Sequence, residues 1–180
     1  MKNRSNPILT LILLPLILIG AFTTSAQTAD IFKGLPFNAT PSTQLHFAKR
    51  TANSVVLIDK APYDTSLTVT PLLIISSLNN EQTVNDRVAF SKQQLNKAQN
   101  LQDITIKTEK AMTIAGIRAY QIIADATDKQ TSQKVIVYQA IAFQPNRFLL
   151  IQGLAGKSQA ERFLPQFNQI TDSVSFKKGG

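Results

Sequence analysis

The 180-residue chain contains no cysteine and no tryptophan, a single histidine, His46, and only three glutamates, Glu81, Glu109 and Glu161. Each absence removes a class of chemistry. Without cysteine there are no disulfides, no thiolate metal sites and no lipid attached to a terminal cysteine. One histidine with no cysteine gives no plausible zinc site. Three scattered glutamates offer no pair placed for glycoside hydrolysis. Acidic residues are few, 11 Asp and Glu against 19 Lys and Arg, so the chain carries a formal charge of +8.

What the sequence does have begins with an export signal. Lys2 and Arg4 precede an apolar run from Ile8 to Phe22, broken only by Thr10, Pro15 and Gly20. Thr23-Thr24-Ser25-Ala26 follows, with small residues at −3 and −1 before Gln27. Charge, apolar core and small-residue exit in that order predict a signal peptide over 1–26, cleaved after Ala26. The alternative, an uncleaved anchor, wants about 20 apolar residues, more than this run holds. The expected location is periplasmic or secreted. Removing Lys2 and Arg4 leaves 27–180 with a charge of +6, enough to favour anionic partners. Its cations are scattered, with clusters only at Lys49-Arg50, Lys107/Lys110 and Lys177-Lys178. No aromatics interleave with them, so no nucleic-acid partner is expected.

Residues 27–44 carry Gly34, Pro36, Pro41 and little periodicity, and read as a linker or extended lead-in. Val55 to Ile58 and Leu67 to Ser77 have strand composition. Pro71 lies inside the second, which marks an edge or a bulge. Then the period changes. Val84, Val88, Ser91, Leu95 and Ala98 form one stripe, predicting an amphipathic helix near 83–98, with Thr83 and Asp86 as a weak capping box. Four strands are predicted at 103–109, 117–127, 134–143 and 148–154, joined by short polar loops that make neighbours antiparallel. A last helix is predicted over 158–174, with Phe163, Phe167, Ile170 and Val174 as its buried stripe. Ser158 and Glu161 are its expected capping box, and Pro165 is either a kink or a restart point. The order describes an α+β domain over 45–176, an antiparallel sheet flanked by helices, followed by a basic tail at 177–180.

Gly116-Ile117-Arg118-Ala119-Tyr120 at a strand start, Arg147-Phe148-Leu149-Leu150 in the last long strand and the closing Phe167-x-x-Ile170-x-x-Ser173-x-x-Phe176 resemble the PsbP-like proteins. The resemblance runs over roughly 45–176 in element order. It implies an α/β/α sandwich serving as an extracytoplasmic accessory, assembly or binding domain. It carries over no functional residue.

Four groups invite a chemical reading. Gly153-Leu154-Ala155-Gly156-Lys157-Ser158 sits between a strand and a helix, as a phosphate-binding loop does, but the required first glycine position holds Ile151. There Gly156 is expected to free a turn, Ser158 to cap a helix and Lys157 to rest in solvent. His46 has no G-x-S-x-G elbow to serve. Asp125, Thr127 and Asp128 flank a loop, but calcium needs six to eight oxygens and no D-x-D-x-D-G run exists. Gln121, Gln139 and Gln152 stand inside apolar strands, either lining a cleft or on a wet face. No catalytic, cofactor-binding or metal residue is assigned, and no cofactor is expected. The reading is a non-catalytic exported domain whose partner is another envelope protein, a small apolar ligand or an anionic surface. The alternative is a small-molecule or lipid-binding protein, with a hydrolase third.

Overall fold

The computed structural model describes residues 31–59, 69–80 and 84–177. The expected signal peptide lies outside them, as do Thr83, Leu67 and Lys178. Among the described residues there are nine strands and two α-helices: β1 Phe37–Asn38, β2 Leu45–Arg50, β3 Ser54–Asp59, β4 Leu72–Asn79, α1 Arg87–Asn96, β5 Leu101–Ile114, β6 Ile117–Asp128, β7 Lys134–Gln144, β8 Arg147–Gly156, α2 Ala160–Asp172 and β9 Ser175–Phe176. Seven strands make one antiparallel sheet in the order β2-β3-β4-β8-β7-β6-β5. β1 and β9 form a separate pair, Phe37 opposite Phe176.

Alternation along β7 shows how the layers are made. Ile136, Tyr138, Ala140 and Ala142 join the core that holds Phe163, Phe167 and Ile170 of α2. Val135 and Val137 join the core that holds Leu95 and Ala98. Successive strand residues point to opposite faces, so the helices cover opposite sides of the sheet, and both faces of its central strands are apolar. This is the α+β sandwich expected. The predicted stripe is buried at every position, Phe163, Phe167 and Ile170 fully and Val174 nearly so, but α2 ends at Asp172 with Ser173 as its C-cap, so Val174 packs from beyond the helix.

Several local expectations change. α2 begins at Ala160 after a 3₁₀ turn over Lys157–Gln159, with no side-chain cap bond at either N-terminus. Ser158 is exposed and Glu161 simply occupies the first turn, where its charge suits the helix dipole. The helix runs through Pro165, which neither ends nor restarts it. Pro165 is the sixth of the thirteen helical residues and lies on the exposed side, where solvent reaches the backbone its missing amide leaves unpaired. α1 starts at Arg87, not 83, because Asp86 is the cap: its Oδ1 accepts from the Ala89 amide at 2.9 Å. Ser91, Leu95 and Ala98 of its stripe are buried, whereas Val88 is exposed. β4 begins just after Pro71, so the proline precedes an inner strand and costs the ladder nothing.

β5 is twice the predicted length, and its register against β6 shifts between Gln102 and Thr105 and again between Ile106 and Thr108. These bulges break the simple alternation read over 103–109. The β5–β6 turn is Ala115-Gly116, with φ of 49° and 78°. Two left-handed residues in a two-residue loop match the twist of the strands it joins. From Ile31 the lead-in turns over residues 31–36 and packs into the domain: Phe32, Leu35 and Phe37 are buried core residues, with Phe32 edge-on to Phe37 at 5.8 Å and to Phe47 at 5.1 Å.

Candidate functional site

The residues singled out from the sequence converge on no one site: Gln139 meets Gln152 and Lys157 meets Asp125, and each pair does structural work. The three glutamines do not share a face. Gln121 lies under α2, where its Nε2 donates to Tyr138 Oη at 3.0 Å and Asn168 Oδ1 at 2.9 Å. Tyr138 Oη in turn donates to Thr171 Oγ1 at 2.9 Å, and Asn168 Nδ2 donates to the Leu164 carbonyl. Tyr138 and Thr171 are fully buried, and burial raises the Tyr138 phenol above its ordinary pKa. Gln139 and Gln152 lie on the other side. Gln139 Nε2 donates to the Ser91 carbonyl of α1 at 2.8 Å, and Gln152 Nε2 donates to Gln139 Oε1 at 3.2 Å. Each network pins one helix to the sheet in a single register. A buried polar group must be satisfied, and in each network the helix supplies a partner.

The glycine-rich segment is no loop. Gly153 lies within β8, opposite Tyr138 on one side and Leu73 on the other. A Cβ there would sit 2.7 Å from Phe167 Cδ2. Gly156 has φ −57°, ordinary for any residue. Lys157 does not rest free in solvent: its Nζ donates to Asp125 Oδ2 at 2.7 Å, and Lys107 approaches the same oxygen at 4.0 Å. Asp128 shapes the β6–β7 turn, its Oδ1 accepting from the Gln130 and Thr131 amides and the Thr131 hydroxyl. Among the described residues no group of three or more His, Cys, Asp or Glu gathers where a metal could sit. His46 lies half-buried in β2 at the sheet edge, opposite Ile58.

Accessible surface of mixed character occurs at the start of α1. A depression there is lined by Asn80, Val84, Asn85, Asp86, Ala89, Phe90 and Gln93. Phe90 is half-buried, edge-on to Phe148 at 5.1 Å and to Phe143 at 5.9 Å. The Arg87 guanidinium lies 5.8 Å from the centre of the Phe143 ring. These rings belong to a small cluster with Ile141, Leu150 and Leu78, distinct from the two main cores. Val88, on the same helix, is exposed. Asp86 is committed to its cap, so the depression sets the amides of Asn85 and Gln93 beside the apolar Val84, Ala89 and Phe90. Such a lining can donate to and accept from a peptide backbone while burying an apolar side chain. Neither the amides nor the ring was singled out in the sequence, because Asn80, Asn85 and Gln93 carry no motif spacing and Phe90 falls off the helical stripe.

No family model and no curated protein matches the sequence. Solved structures do match. LpqN of Mycobacterium tuberculosis, involved in cell envelope biogenesis, aligns with a TM-score of 0.59 at 14% identity, over 78% of this chain and 83% of its own. The Ran-binding protein Mog1p of Saccharomyces cerevisiae aligns with a TM-score of 0.55 at 11% identity, over 78% and 90%. A weaker likeness, TM-score 0.46 at 11% identity over 79% and 82%, is to the cyanobacterial PsbP of Synechocystis sp.. Among the described residues no helix is long and apolar enough to cross a membrane. The likeness is one of fold: the chain shares the α+β sandwich of LpqN and Mog1p.

Proposed function

We propose that this chain is an exported, non-catalytic accessory domain that binds a segment of another envelope protein through the depression at the start of α1. The observation that carries the reading is the composition of that depression, Val84, Ala89 and Phe90 beside the amides of Asn85 and Gln93. The interior polar groups that sequence reading had held open as a cleft hold helices in place instead. The spaces between sheet and helices are filled by Phe163, Phe167 and Ile170 on one side and Leu95 and Gln139 on the other, which favours a protein partner over an enclosed small ligand. Two proteins of this fold, one in envelope biogenesis and one that binds Ran, lend the reading precedent.

Ala89 and Gln93 are exposed helix positions, so Ala89→Arg with Gln93→Arg changes the surface without touching the core. This double variant should accumulate folded, lose a photo-crosslink formed from position 85 in cells and fail to complement a deletion. His46→Ala should complement fully. Full complementation by the double variant, or failure of His46→Ala in folded protein, overturns the reading. Processing is tested by N-terminal sequencing, which should begin at Gln27.

A further inference from the structure

Two arginines on the α1 side of the sheet, Arg87 and Arg118, pair with no acid among the described residues. The Arg87 guanidinium lies 5.8 Å from the centre of the Phe143 ring, and its Nε is buried and donates to nothing. Arg87 stands three residues before Phe90, one helical turn back on the same side of α1. Phe90 is edge-on to that same Phe143 ring at 5.9 Å. The sheet places Arg118 beside it as well. The β6–β7 register ends with Ala119 opposite Ala142, both in the core under α2. The next residue out on each strand, Arg118 and Phe143, therefore points to the α1 face, where Phe143 joins Phe90. Arg118 is exposed and Arg87 half-buried. The acids of this face are engaged elsewhere: Asp86 Oδ1 accepts from the Ala89 amide, and Glu109 Oε1 accepts from Lys92 Nζ at 3.0 Å.

Through Phe90 this pair adjoins the depression at the start of α1, whose apolar part is Val84, Ala89 and Phe90. We infer that the protein segment docked there carries a carboxylate next to its apolar side chain, and that Arg87 and Arg118 receive it. The inference rests on docking at the depression and adds the chemistry of the occupant. An arginine presents a planar fork of donors that matches a carboxylate with two parallel hydrogen bonds. Arg87 is already seated, with its Nε out of water and an aromatic ring beside its guanidinium. Less side-chain freedom is then lost when an anion binds. The arrangement also fixes a register: the apolar side chain enters beside Phe90, and the acid lies toward Phe143 and the start of β6.

Peptide pools supply the test. Three pools of short peptides share the same random placements of leucine and phenylalanine and differ only in their polar residue, which is glutamate, glutamine or lysine. Each is titrated into the isotope-labelled full chain while the amide resonances of Ala89, Phe90 and Arg118 are followed. The glutamate pool should shift them with an affinity about fivefold above that of the glutamine pool, and the lysine pool should bind weakest. The margin should shrink at high salt. Arg87→Gln with Arg118→Gln should bring the glutamate and glutamine pools level while keeping the shifts at Ala89 and Phe90. Lys107→Gln with Lys110→Gln, an equal loss of charge beside Asp125 and Gln121 on the α2 side, should keep the margin. Equal affinity of the two pools in the unaltered protein, a margin that survives in the arginine variant, or one lost equally in the lysine variant would overturn the inference and leave docking intact. Displacement of the glutamate pool by inorganic phosphate at matched ionic strength would overturn it too, by assigning the arginines to a phosphate. If no pool shifts Ala89 or Phe90, docking at the depression fails and the inference fails with it.

Discussion

The ring of Phe167 occupies the space that a side chain at position 153 would need: a Cβ on Gly153 would lie 2.7 Å from its Cδ2 and 2.8 Å from its Cε2. α2 therefore approaches β8 as closely as it does because the strand is bare there. Phe167 also tilts against Tyr138, at 5.8 Å between ring centres, on the strand next door.

Phe167→Ala is expected to cost about 3–5 kcal/mol, as for other buried aromatic truncations. Gly153→Ala is expected to cost about 1–3 kcal/mol by overpacking. The two are coupled, so Gly153→Ala should be much milder in a Phe167→Ala background. Urea denaturation of the four proteins measures this. Additive losses would mean the ring does not rest on the strand.

Tyr138 gives the domain an alkaline limit. Its phenol is raised by burial above the ordinary value of 10.0, so the folded state holds its proton where the unfolded state releases it. The stability this contributes is whole below about pH 10 and declines as pH rises towards the folded value. Thermal melts between pH 8 and 11 should show the decline, and Tyr138→Phe should flatten it. That variant also strips Thr171 of a donor, at a cost of about 1–3 kcal/mol at neutral pH.

Ala115 is held at φ 49° in the β5–β6 turn, a conformation that disfavours a Cβ. Ala115→Asn, matching the turn's preference, should raise stability by about 0.5–1 kcal/mol in the same denaturation assay.

Ser158→Ala should change stability by no more than about 0.5 kcal/mol, since no cap bond is lost. Lys157→Ala removes a surface ion pair worth about 0–1 kcal/mol. A loss near 2 kcal/mol for either would restore a capping or loop role.

Truncation separates two domain boundaries. A chain from Leu45 lacks Phe32, Leu35 and Phe37 and leaves Phe47 and Phe176 uncovered. It should fail to give a cooperative melt, whereas a chain from Gln27 should give one.

That boundary also shows where sequence reading ended. Strands β6, β7 and β8 and the stripe of α2 were legible because period and turn chemistry agree over long stretches, from Ile117 to Val174. Phe32, Leu35 and Phe37 repeat with neither helical nor strand period, so their burial is written only in the tertiary fold. Ser91 is polar yet wholly buried, with its hydroxyl unpaired and only its backbone carbonyl accepting from Gln139, and Val88 is apolar yet exposed. The bulges of β5 are set by pairing with β6 and have no local signature. At the candidate site, Phe90 was hidden because it meets Phe143 and Phe148 through a hairpin more than 50 residues downstream.

The strand order carries a kinetic consequence. β2-β3-β4 and β8-β7-β6-β5 are each runs of sequential neighbours, built from short-range contacts that close quickly. They meet along one seam, Leu72–Asn79 against Arg147–Gly156, which must span the whole intervening half of the sheet. Each half exposes an apolar flank until that seam closes. Assembly of the seam is thus the slow, entropy-limited event, and a partly folded chain is most prone to pair with a second copy along β4 or β8.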